Sequence, residues 1–220
     1  AHAIFPNGLP AMTDTDVRSM LMEKIGPLRK QLVLQDKEAD DGQVINPFVQ
    51  QVSRNAHGFP IYVTYVVGDI LANRYRHLDN KENLPPSLEN YHQELLKRCR
   101  IGILSQILSP MVATIAVSRE PLTIDALGEV LQHNNSIPGD ENPVPLIHQA
   151  IATIASMLKR SSTPGGQEGY TLFHHSLRQH MFSSTETKDI IRTANNNLAK
   201  MVSSITAAGP AQKYLFRWGI

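Results

Sequence analysis

Apolar residues recur at helical spacing along nearly the whole chain, and one short segment breaks the pattern. Pro164-Gly165-Gly166 is a turn signal. Its flanks, Ser156–Ser161 and Tyr170–His174, are expected to pair as a small hairpin. Strand content is otherwise low and nothing repeats internally. The expected fold class is therefore mainly α.

The helices are legible from their ends. Residues 1–12 are punctuated by Pro and Gly and read as a connector. Thr13 opens a helix, with Asp16 three residues on as a capping-box-like partner. Val17, Met20, Leu21, Ile25 and Leu28 follow at helical spacing, and Gly26-Pro27 is expected to kink or divide that helix. Lys37–Gly42 is charged and loop-like. A second helix is expected from about Val44 to Ala56, ended by Gly58. Pro60 starts a third, Ile61 to about Tyr75, apolar on nearly all sides and so deeply buried. After Leu84-Pro85-Pro86, Ser87 caps a fourth through Arg98.

The pattern then changes. A helix over 101–118 is followed by Pro121-Leu122-Thr123, where Thr123 caps a short helix to Gln132. A loop over 133–145, rich in Asn, Pro and Gly, leads into a helix Leu146–Leu158 and then the hairpin. Three helices and a hairpin is the order of a winged helix. Further helices are expected over 174–182 and 187–206, with a new element beginning in 210–220. The domains read as a connector (1–12), a small helical bundle (13–98), a winged-helix domain (99–185) and the start of a further helical region (186–220).

Composition sets the outer limits. The chain has 220 residues, 41% of them apolar, enough for one large or two small domains with a real core. A net charge of +1 gives no electrostatic case for a dedicated nucleic-acid or membrane-surface protein. One cysteine, Cys99, excludes an internal disulfide and a multi-Cys zinc site, and suits a reducing, cytoplasmic setting. Ile101–Ser118 holds 18 residues without a charge, near membrane-spanning length. Only 11 of the 18 are apolar, so a helix buried in a protein core is expected instead. The sequence opens on Ala1 rather than Met and reads as a processed or excised piece, without a signal-peptide pattern.

Three segments together resemble the STAND class of signalling NTPases, the NACHT and NB-ARC proteins. They are His57-Gly58-Phe59-Pro60-Ile61-Tyr62, Leu84-Pro85-Pro86-Ser87-Leu88 and Phe173-His174-His175-Ser176-Leu177-Arg178. In that class a P-loop core is followed by a helical domain, a winged helix and a sensor region. Gly58-Phe59-Pro60 is similar to the Gly-x-Pro motif of the helical domain. Phe173-His174-His175 is similar to the Met-His-Asp type motif that ends the winged helix, and Arg178 matches the basic residue that commonly follows. Arg119-Glu120-Pro121-Leu122-Thr123 is similar to the entry to the second winged-helix helix, and Lys213–Ile220 to the first turns of the sensor. The resemblance covers about residues 13–185. No G-x-x-x-x-G-K-[ST] occurs in the chain, so it carries no phosphate cradle of its own, and His175 stands where plant members have Asp.

The resemblance implies a regulatory module without catalysis of its own, with no cofactor in this piece and ADP or ATP bound in the full protein. Its implied partners are an upstream P-loop core, a downstream sensor region and, on activation, further copies of itself. Pro60 would pack against the adenine; the simpler reading is that Gly58 ends one helix and Pro60 starts the next. His174 would donate to the β-phosphate of ADP and so tie the winged helix to the core at rest. The simpler reading there is a structural histidine after a strand, as for His175 and His180. Gly58 and Arg178 are weaker nucleotide-site candidates.

Other chemistries fare worse. His174, His175 and His180 lack the i, i+4 spacing of a helical metal pair, and no metal site is expected. Cys99 lies on an amphipathic helix without a nucleophile signature and reads as a buried thiol. The alternative of another class is a winged-helix nucleic-acid-binding or transcription-regulator module. Its reading helix would be Leu146–Leu158, which offers His148, Gln149, Thr153 and Ser156 but no positive charge before Lys159. Binding to DNA is accordingly not expected.

Overall fold

A computed structural model describes residues 12–25, 50–71 and 84–204. The chain divides into two compact units, Ala1–Glu94 and Leu95–Ile220. The expected kink at Gly26-Pro27, the loop 37–42, residues 44–49 and 72–75 of two helices, and everything beyond 204 lie outside the described residues.

In the first unit, Thr13 and Asp16 cap α1 (Asp14–Ile25) reciprocally. The Thr13 N–H donates to Asp16 Oδ2 at 2.9 Å and the Asp16 N–H donates to Thr13 Oγ1 at 3.2 Å. Val17 and Leu21, one turn apart, are buried on the face that meets α2 (Pro60–Leu71). α2 follows a helical run over 50–56 and is buried almost all round, as its uniform apolarity requires. α3 (Leu88–Arg98) starts where Ser87 Oγ accepts the Asn90 N–H at 3.2 Å.

The tyrosines of α2 and α3 build a polar knot inside this apolar unit. Tyr65 and Tyr91 stack at 5.2 Å, and Tyr62 meets Tyr91 edge-on at 5.7 Å. The Tyr91 hydroxyl donates to the carboxylate of Asp69, which is fully buried. The Tyr62 hydroxyl and Asn55 Nδ2 both donate to the Pro85 carbonyl. The hydroxyls of Tyr62 and Tyr91 and the Asn55 amide thus each meet a partner, as burial without one would cost a few kcal/mol.

The second unit has the element order expected for a winged helix, with changed boundaries. α4 is Ser105–Val117, four residues shorter at its start than the 101–118 expectation. Residues 101–104 form a turn around Gly102 (φ 92°), leaving Ile101 and Ile103 in solvent. The uncharged run is a core helix, with Ile107, Leu108 and all of 111–116 buried. No helix among the described residues is long and apolar enough to cross a membrane.

α5 (Ile124–His133) is capped by Thr123, whose Oγ1 accepts the Ala126 N–H at 3.2 Å. α6 is Pro143–Thr153, not Leu146–Leu158. It starts earlier because Asn142 caps it and Pro143 at its first position loses no bond, and it ends earlier in a 3₁₀ turn, Ala155–Met157. The hairpin is accordingly displaced. β1 (Leu158–Ser162) pairs antiparallel with β2 (Glu168–Leu172), Leu158 opposite Leu172 and Ser162 opposite Glu168.

Leu122 adds a third strand position, exchanging backbone hydrogen bonds with Tyr170 at 3.0 and 2.8 Å. Among the described residues β2 is therefore central and β1 is an edge. At that crossing Gly169 leaves room for the close approach, since a Cβ there would stand 2.9 Å from both Pro121 Cβ and Thr163 Cγ2 and something would have to shift. α7 (His175–Ser183) and α8 (Lys188–Ser204) follow. α8 packs on α4, α5 and α7 of this unit.

Candidate functional site

Gly58 and Pro60 lie in the first unit, His174 and Arg178 in the second. The helical run 50–56 ends with His57 at φ 46° and Gly58 at φ 77°, and the Phe59 N–H reaches back to the Ala56 carbonyl at 2.8 Å. Left-handed backbone of this kind closes a helix C-terminus, and glycine adopts it without a Cβ clash. Pro60 is then the first residue of α2, where its missing N–H costs nothing. The capping account of both residues thus holds as local geometry. Pro60 is also exposed, and the Phe59 ring beside it is 54% exposed, so the turn presents an apolar surface.

His174 stands at the junction of β2 and α7. The Phe173 N–H donates to the Met157 carbonyl at 2.7 Å, carrying the strand pairing one residue past Leu172. His174 then takes extended backbone (φ −140°, ψ 143°) and caps α7 with its ring. Nδ1 accepts the Ser176 N–H at 3.1 Å and lies 2.8 Å from Ser176 Oγ. An accepting Nδ1 carries no proton, so the neutral ring keeps its proton on Nε2. Burial holds the His174 pKa below its usual value, and the neighbouring His175, with ring centroids 4.7 Å apart, pushes the same way. The product is a half-buried neutral imidazole whose remaining N–H has no acceptor among the described residues.

Arg178 lies one turn further along α7, and its guanidinium sits 5.7 Å from the centre of the Phe182 ring, towards the far end of the helix. His175 is exposed and His180 half-buried. No group of three or more His, Cys, Asp or Glu that could hold a metal occurs among the described residues. Cys99 is buried, 3.8 Å from Met157 Sδ, and burial pushes its thiol up to about 11. Such a thiol stays protonated at neutral pH and is a poor nucleophile. The cavity beside it is lined mostly by Leu96, Val112, Met181 and Ile190. Of its polar members, Arg100 is committed to Glu186 and Thr187 to the Met181 and Ser184 carbonyls.

α6, the helix that DNA-binding winged helices insert in the major groove, exposes Pro145, His148, Gln149, Ala152 and Thr153. It has no Lys or Arg. The hairpin adds Lys159 and Arg160, the latter 3.8 Å from Glu168.

Two features escape a sequence reading. The cap made by His174 has no sequence signature, because histidine is not among the usual capping residues. The strand position of Leu122 is set by a partner far along the chain, and Pro121-Leu122-Thr123 signals only the helix that follows. No family model, curated protein or solved structure matches the chain.

Proposed function

We propose that the chain is the helical and winged-helix regulatory module of a STAND-type signalling NTPase. The observation that carries this is the state of His174: its Nδ1 is spent on the helix cap, and its remaining N–H sits at the start of a helix, where an anionic oxygen is favoured. A neutral ring fixed in one tautomer is pre-set to donate a single hydrogen bond to a phosphate. Pro60 and the exposed turn before α2 supply an apolar surface of the kind an adenine ring packs on. With no P-loop motif, this chain would sense nucleotide held by another part of the protein and hydrolyse none itself. It would close over an ADP-loaded core at rest and release on exchange for ATP, permitting oligomerisation. The transcription-regulator alternative has less support, since α6 offers no cation to neutralise phosphates.

The test separates the cap from the ligand contact. In the protein bearing its NTPase core, His174→Ala removes both, whereas His174→Asn keeps an acceptor at the cap and loses the Nε2 donor. Loss of one charge-assisted bond from the closed state is on the order of 1.5–3 kcal/mol, a shift of about tenfold or more in the closed-to-open ratio. Both substitutions should raise unstimulated oligomerisation in ADP, read by size-exclusion chromatography, and His175→Ala and His180→Ala should do so much less. If His174→Asn stays as closed as the unaltered protein, the nucleotide role fails and the cap alone remains.

A further inference from the structure

The hairpin tip carries three consecutive hydroxyls, Ser161, Ser162 and Thr163, directly after Lys159 and Arg160. Their surroundings differ. Thr163 Oγ1 accepts the Gln167 N–H at 3.1 Å, and its backbone N–H donates to the Gln167 carbonyl at 2.8 Å, so it is built into the turn. Ser161 is half-buried opposite Gly169. Ser162 is exposed, and its hydroxyl makes no hydrogen bond among the described residues. Lys159 and Arg160 are exposed as well, three and two residues before it.

We propose that Ser162 is a phosphorylation site for a protein kinase of the class that reads basic residues two and three positions ahead of the acceptor hydroxyl. Such enzymes bind their substrates extended, with an acidic groove around those side chains. β1 is already extended, and its outer edge pairs with no described residue, β2 and Leu122 lying on its other side. The segment is thus presented in the form a kinase groove accepts. In the reaction, Ser162 Oγ attacks the γ-phosphorus of ATP and the bond from that phosphorus to the β–γ bridging oxygen breaks. ADP leaves, and the hydroxyl proton passes to the kinase's carboxylate base and on to solvent.

The register defines what the phosphate meets. The Thr163–Gln167 backbone bond makes Ser162 and Glu168 the next pair along, a non-hydrogen-bonded one, whose side chains stand about 4.5–5.5 Å apart at Cβ. A group of charge about −1.5 to −2 placed there repels Glu168 directly. Arg160, on the same face of β1 and now paired with Glu168, is the cation that turns to it. The wing changes from net positive to net negative without a change in the core.

The experiment incubates the whole chain with ATP and the catalytic subunit of a cyclic-nucleotide-dependent kinase, which has this preference, and maps phosphate by tandem mass spectrometry. Phosphate is expected on Ser162, abolished by Ser162→Ala and retained in Ser161→Ala and Thr163→Val. Replacing both Lys159 and Arg160 by Ala should lower kcat/KM at least about tenfold, since two charge-assisted contacts are lost. No incorporation at Ser162, transfer to Ser161 or Thr163 instead, or an unchanged kcat/KM in the double variant overturns the proposal.

Discussion

At the head of α7 the hydrogen bond from the Ser176 N–H to His174 Nδ1 exists only while that nitrogen is unprotonated. Protonation removes the acceptor and places a positive charge at the positive end of the helix dipole. The folded-state pKa of His174 lies below its ordinary value of 6.5, so the unfolded chain binds the proton more readily. The stabilisation is therefore fully present above 6.5 and is lost as the pH falls through the folded value. His174→Ala should cost roughly 1 kcal/mol near neutral pH, the usual worth of an N-cap, and progressively less on acidification. Thermal unfolding of the unaltered and substituted chains at about pH 7.5 and about pH 5 gives the difference, and ring-carbon NMR gives the pKa itself. A His174 titrating at or above its ordinary value contradicts the cap.

At the scale of elements, what sequence reveals depends on how local the cause is. Thr13 with Asp16, Ser87 and Thr123 mark helix starts to the residue, because a cap involves only its own first turn. Asn142-Pro143-Val144-Pro145 looks like loop for want of that context; two prolines in a first turn are tolerated, and α6 begins three residues before a breaker-based reading puts it. The hairpin is visible through Pro164-Gly165-Gly166, but its register is set by Leu158 and Leu172 turning to the core together, and by His174 leaving the strand to cap α7. At the candidate site, Gly58 and Pro60 have a local signature, whereas the ring of His174 acquires its tautomer only from the folded junction. Gly169 has the least local constraint of all. Gly169→Ala forces a Cβ against the rigid ring of Pro121 and should cost about 1–3 kcal/mol, the range of overpacking in a tight site. Chemical denaturation measures it; a cost near zero would mean that the Leu122 strand position yields readily.

At the scale of the molecule, the balance of charge and its placement decide which large partners suit the chain. Positive groups are not gathered on α6, and the overall charge is +1. Specific duplex binding should be absent at physiological salt, since without neutralised phosphates the counterion term that dominates such affinity is small. An electrophoretic mobility shift that persists against excess competitor DNA would contradict this and favour a transcription regulator. The open edge of β1 bears on a different kind of encounter. An unpaired strand is a template on which a second copy can add its own strand, the first step towards fibrous aggregates. Here the strand is five residues long, with Lys159 and Arg160 exposed along it, so a copy approaching in register would bring cation against cation. The same two residues that label the hairpin for a kinase thus keep its edge from becoming a seam between molecules.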